Sequence, residues 1–162
     1  MDSVLIDNEF LAARLPEGFE RIPHKELETM MGITYDCMWG VRDRARLMVV
    51  CITWKDSSKV LTKLVSEKAF AKQVNDTYRR QYRTSGYHCD EFFLRDVAGS
   101  DHGAHGFRFG YDAQGIAQSG EILVFKHGIR CYTMRYFTRT DVAEKNLPAY
   151  EAILDSLEVL RG

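Results

Sequence analysis

The chain has 162 residues, of which 45% are hydrophobic and 28% charged, with a formal net charge of -1. That balance is globular and the length fits one domain over 1–162, which excludes a disordered or low-complexity chain. No run approaches the roughly 20 apolar residues of a membrane-spanning helix, and the near-neutral charge gives no global field toward nucleic acid or anionic lipid. Met1-Asp2-Ser3-Val4 has no basic start ahead of an apolar run. No secretory leader is read there, and a cytoplasmic location is expected.

In chain order, Glu9 to Leu15 predicts a first strand, closed by the turn residues Pro16-Glu17-Gly18. His24 to Met31 predicts a short helix that stops at Gly32. Asp36 to Val41 and Arg46 to Trp54 predict a hairpin that turns at Arg42-Asp43-Arg44. Its second strand is nearly all apolar and so is expected to be covered on both faces. Asp56-Ser57-Ser58 offers N-cap chemistry for a helix over Lys59 to Tyr82, with a break expected near Ser66. Leu61, Leu64 and Val65 form one apolar stripe of that helix; Phe70, Val74, Tyr78 and Tyr82 form the next.

After Gly86 the pattern is that of strands: Tyr87 to Val97, Ala104 to Tyr111, Gly120 to Lys126 and Ile129 to Thr138. Turns fall at Gly99-Ser100-Asp101, Asp112-Ala113-Gln114-Gly115 and His127-Gly128. A closing helix over Val142 to Leu157 is apolar at Leu147, Tyr150, Ile153, Leu154 and Leu157, and Pro148 is expected to delay its regular part to about Leu147. Short turns make consecutive strands antiparallel, and helices must cover the apolar faces of the sheet. The fold class is therefore α+β, a single-domain α/β/α sandwich with a central, mainly antiparallel sheet.

Leu15-Pro16-Glu17-Gly18-Phe19 ahead of the small helix, Tyr132-Thr133-Met134-Arg135-Tyr136 at the end of the meander, and Tyr150-Glu151-Ala152-Ile153-Leu154-Asp155-Ser156-Leu157 in the last helix form a pattern. It resembles the PsbP-like α/β/α sandwich group, which takes in DcrB-like and Eag-type chaperone relatives, small bacterial lipoproteins and a Ran-release factor. The resemblance spans most of the chain in element order. It implies a binding or accessory role more than catalysis, and it carries no catalytic residues over to this sequence. A fold shared with others leaves function to be argued from a site.

The candidate chemistry is sparse. Cys37, Cys51, Cys89 and Cys131 are scattered with no CxxC pair, which argues against a zinc ribbon or redox motif and for reduced thiols used as small apolar residues. Asp101, His102 and His105, with Cys89 beside His88 upstream, are the weak metal or thiol candidates, because imidazole, carboxylate and thiolate are the usual ligands. The alternative is a polar loop between strands. Lys59, Lys63, Lys68, Lys72, Arg79, Arg80 and Arg83 make the helix over 59–83 basic, with Tyr78 and Tyr82 near enough to stack on bases; a solvated helix face explains the same residues. No GxGxxG, Walker A loop or nucleophile elbow is present, so no cofactor is expected.

The densest feature is aromatic. Phe107, Phe109 and Tyr111 share a face by alternation, with Arg108 on the other, and Tyr132 and Tyr136 lie on the next strand but one. This aromatic sheet is either core or a surface for a protein or apolar ligand, and a homodimer through Phe109 or Tyr136 is expected from it. The preferred reading is a non-catalytic binding or accessory domain. The alternatives are an enzyme centred on His102, His105 and Cys89, and a nucleic-acid binder.

Overall fold

Period-two burial sets the architecture of the computed structural model, which describes residues 2–7, 10–32 and 37–160. A small sheet joins β1 (Asp2–Ile6), β2 (Leu11–Leu15) and β11 (Glu158–Val159) in the order β1-β2-β11. The large sheet contains β3 (Glu20–Arg21), β4 (Met38–Asp43), β5 (Met48–Asp56), β6 (His88–Cys89), β7 (Phe93–Arg95), β8 (Ala104–Ala113), β9 (Ile116–His127) and β10 (Arg130–Arg139). Its order is β3-β4-β5-β10-β9-β8-β6, with β7 also paired to β8. Every ladder between these strands is antiparallel. The expected strand over Tyr87 to Val97 is broken in two. From Cys89 to Phe93 the edge takes four steps while β8 takes three, from Phe109 to Gly106. The surplus residue interrupts the ladder as a bulge does.

Helix boundaries follow local chemistry. α1 (His24–Met31) ends at Gly32 in the left-handed conformation, φ 67°. The Ser58 side chain caps α2 (Lys59–Leu64) by accepting from Leu61 N, and the Ser66 side chain caps α3 (Glu67–Gln81) by accepting from Ala69 N. The second cap is the expected break. α4 (Ala143–Ser156) follows a 3-10 turn at Thr140–Val142 and contains Pro148. The delay to Leu147 does not occur. Pro148 removes only the bond to the Glu144 carbonyl, and the turns before it are held by Asn146, whose Nδ2 donates to Arg46 O (2.6 Å) and Thr138 Oγ1 (3.0 Å). Two other boundaries move. β4 runs through Asp43, so the hairpin turns at 44–47, where buried Asp43 Oδ1 accepts from Arg46 N at 3.0 Å. Glu9 and Asp36 lie outside the described residues.

The large sheet is apolar on both faces. On one face Phe107, Phe109, Ile122 and Val124 pack against Ala71, Val74 and Tyr78 of α3, while Ile22, Met38 and Cys51 pack around Leu27 of α1. Glycines permit close contact here. A Cβ on Gly40 would stand 2.9 Å from Leu27 Cδ1, and one on Gly120 would stand 2.4 Å from the Phe109 ring. On the other face Trp39, Ile52, Phe125, Tyr132, Met134 and Tyr136 meet α4 and β2 through Tyr150, Ile153, Leu154, Leu11 and Ala13. Arg130 ties this layer together. It pairs with Asp7 beside the small sheet and with Asp56 on β5, both at 2.6 Å, and Tyr132 Oη adds a bond to Asp7 at 2.9 Å.

These packings correct the aromatic surface. Phe107 (0% exposed) and Phe109 (4%) lie under α3, and Tyr132 (1%) and Tyr136 (6%) lie under α4 and the small sheet. Alternation also splits them between opposite faces, so they form no common surface for a partner or a second copy. Tyr111 alone of the five is half-buried. Leu61 and Leu64 move the other way: α2 buries none of its residues, and both leucines are exposed.

Leu154 closes the core between α4 and the small sheet. Leu154→Ala is expected to lower the unfolding free energy by about 2–5 kcal/mol in urea titration; an unchanged midpoint would mean that α4 is not docked as described.

Candidate functional site

α3 rests on β8 and β9, and α1 rests on β4. From β4 to β9 the sheet takes three inter-strand steps, roughly 14 Å at the usual spacing. Packed helices need axes 8–10 Å apart, so α1 and α3 stand too far apart to close over β5 and β10. The result is a groove of about 290 Å³ along the middle of the helical face.

Its walls are aromatic and sulfur-bearing. Met30 and Met31, at the end of α1, line one side; Tyr78, Gln81 and Tyr82, at the end of α3, line the other. The Tyr82 ring stacks on Tyr111 of β8 with centroids 4.0 Å apart, and Tyr78 meets Phe109 edge-on at 5.3 Å. Phe109 in turn meets Phe137 edge-on at 5.7 Å. Val49, Phe137 and Arg135 form the floor. Arg135 is the one charged side chain among the described residues lining the groove. Its Nη1 donates to Thr53 Oγ1 at 2.7 Å, which orients the guanidinium and leaves donors free for an occupant. Burial pushes the Tyr78 hydroxyl up to about 12, against an opposing pull from Arg135, so this wall stays neutral at physiological pH.

Of the residues singled out from sequence, Tyr111 lines the groove and Phe109 backs it. Asp101, His102 and His105 line one pocket with Glu67 and Lys126, but Cys89 lies apart from them. Cys89 pairs with Phe109 and His105 with Val124, which puts them four residues, roughly 13 Å, apart along β8. His102 Nδ1 is bonded to Glu67 Oε2 at 2.7 Å, and Asp101 Oδ2 accepts from Gly128 N at 2.9 Å. Among the described residues no three His, Cys, Asp or Glu side chains are placed to hold a metal ion. Burial raises the Cys89 thiol, and it raises those of Cys51 and Cys131 to about 11, away from the thiolate a nucleophile needs. On the basic helix Tyr78 is buried and Tyr82 is stacked on Tyr111, so neither offers a free face to a base.

Two ionic residues escaped the sequence reading. Glu67, the first residue of α3, and Lys126 of β9 are both buried, at 4% and 5% exposure. Lys126 Nζ donates to Val65 O and, at 2.9 Å, to Thr62 O, and lies 4.0 Å from Glu67 Oε1. Lysine thereby holds the end of α2 against the sheet, which explains how that helix docks while its leucines stay in water.

No protein-family model matches the sequence, and no curated protein matches it. Solved structures do match. The solution structure of cyanobacterial PsbP (CyanoP) from Synechocystis sp. PCC 6803 superposes with a TM-score of 0.63 over 98% of this chain and 92% of that one, at 14% identity. The fold is PsbP-like. The Saccharomyces cerevisiae Ran-binding protein Mog1p shares it at a TM-score of 0.60 over 98% of this chain and 94% of that one, with 8% identity. A protein from Bacteroides thetaiotaomicron VPI-5482 matches at 0.65 and 8% identity over 98% of this chain, which spans 48% of that protein. At such identities the likeness concerns the PsbP-like fold, and the site must stand on its own residues.

The thiol geometry of this PsbP-like domain has a direct readout. With limiting iodoacetamide near neutral pH, exposed Cys37 is expected to label first, half-buried Cys131 slowly, and Cys51 only after denaturation. Rapid labelling of native Cys131 would contradict the burial described.

Proposed function

We propose that this PsbP-like domain is a non-catalytic binding module that takes an apolar, carboxylate-bearing segment of a protein partner into the groove between α1 and α3. The observation that carries this reading is Arg135, a lone guanidinium on the floor of an aromatic and methionine-lined groove. Apolar walls supply contact area, and methionines adapt to varied side chains. A half-buried guanidinium favours a carboxylate and penalises an occupant that leaves it unpaired. The Ran-binding role of Mog1p on the same fold supports a protein as the partner. The enzyme alternative needs His102, His105 and Cys89 in one place, and their spacing weighs against it. Four unpaired cysteines suit a reducing compartment, in keeping with a cytoplasmic role, and no helix among the described residues is long and apolar enough to cross a membrane.

Peptide-library selection on the native domain tests the proposal. Selected peptides are expected to carry Asp or Glu between aromatic or aliphatic residues. Arg135→Glu should weaken them roughly tenfold or more, the value of a charge-assisted hydrogen bond, with the circular dichroism unchanged. Peptides that lack an acid, or that bind Arg135→Glu equally well, would overturn it.

A further inference from the structure

The opposite face of the sheet holds a second, polar cavity. Arg108 on β8, Glu121 on β9 and Tyr136 on β10 lie on one cross-strand row. Glu121 is 3% exposed. Its Oε1 accepts from Arg108 Nε at 3.1 Å, and its Oε2 accepts from the Tyr150 hydroxyl of α4. The Tyr150 ring lies flat on Tyr136, centroids 3.9 Å apart and planes 10° apart. Under the first turns of α4 this row borders a cavity of about 320 Å³, a size usual for small-molecule sites.

Two features show that the row is incomplete. A carboxylate has about four acceptor positions, and Glu121 fills two of them. The Tyr136 hydroxyl is buried without a hydrogen-bond partner among the described residues. Thr138, two residues further along the same face of β10, stands beside it and opposes the rise in its pKa; the Thr138 Oγ1 itself accepts from Asn146 Nδ2. Burial comes first among the causes that push the Tyr136 phenol up to about 12, so it stays a neutral hydroxyl. Buried polar groups left unpaired are rare and call for a missing partner.

The charges select that partner. Asp90 and Glu144 border the cavity with Glu121, against one guanidinium and His88. The Arg108 side chain is 56% exposed and lies over the Phe93 ring, so it offsets the buried carboxylate only in part. The first turn of α4 would by itself attract an anion, but Glu144 occupies that turn. An alkylammonium group has three donors and no acceptor, and Glu121, the Tyr136 oxygen and Thr138 Oγ1 are acceptors at this wall. Leu147 and the stacked tyrosines offer a surface to its methylene chain. We propose that this cavity binds a primary alkylammonium group, carried either by a free small amine or by a lysine side chain.

The test is a titration of the full chain, followed by NMR shifts of residues around Glu121, with n-butylammonium, Nα-acetyl-lysine methylamide and the neutral isostere 1-butanol. Saturable binding of the first two and not of the alcohol is expected. Tighter binding of the lysine derivative would assign the ammonium to a protein, and tighter binding of butylammonium to a free amine. Tyr136→Phe should leave the thermal midpoint of the free protein unchanged or higher, because it deletes an unsatisfied hydroxyl, yet weaken ammonium binding by about tenfold. Glu121→Gln should abolish it. Equal binding of the alcohol, ammonium binding unaffected by Tyr136→Phe, or a lower midpoint for that variant, showing that the hydroxyl already has a partner, would overturn the site.

Discussion

A sheet with two apolar faces needs two covers, and the geometry of the covers governs the rest of this molecule. β5 and β10 lie in the middle of the sheet, and their residues alternate between two separate cores. On one face α4 and the small sheet cover the middle strands, pinned by Arg130 and its two aspartates, and leave a polar cavity under the first turns of α4. On the other, α1 and α3 rest on strands too far apart for the helices to meet, and the middle strands stay partly open. The α4 face supplies stability. The open face gives the domain a surface where Arg135 and its aromatic neighbours can act.

Much of this was legible in the residues, for local reasons. Gly32 and Ser66 mark helix ends through backbone conformation and capping, which short-range chemistry sets. The meander from Ala104 to Thr138 follows from period two and turn glycines. The small sheet was not legible, because β11 has two residues and pairs with Leu11 and Ala12, nearly the whole chain away. No local pattern encodes such a pairing.

The sites were legible only in part. Alternation correctly put Phe107, Phe109 and Tyr111 on one face, but periodicity does not say which face a helix will cover, and four of the five chosen aromatics turned out to be core. Lys126 follows the run Leu123-Val124-Phe125 and reads as the polar end of a strand. Its burial depends on carbonyls of Thr62 and Val65, more than sixty residues earlier. Arg135 did leave a signal: it is a charge set between Met134 and Tyr136, and alternation puts it on the opposite face of the strand from both.

Methionine oxidation reads the asymmetry between the two faces most directly. Met30 edges the groove at 46% exposure, whereas Met38, Met48 and Met134 are buried at 3%, 1% and 0%. With dilute hydrogen peroxide and peptide mass analysis, sulfoxide is expected at Met30 well before the other three, which should react only as the protein unfolds. Protection of Met30 equal to that of Met134 would mean that the helical face is closed. Early oxidation of Met134 would mean that the α4 face is open, and either result would contradict a sheet covered on one side and grooved on the other.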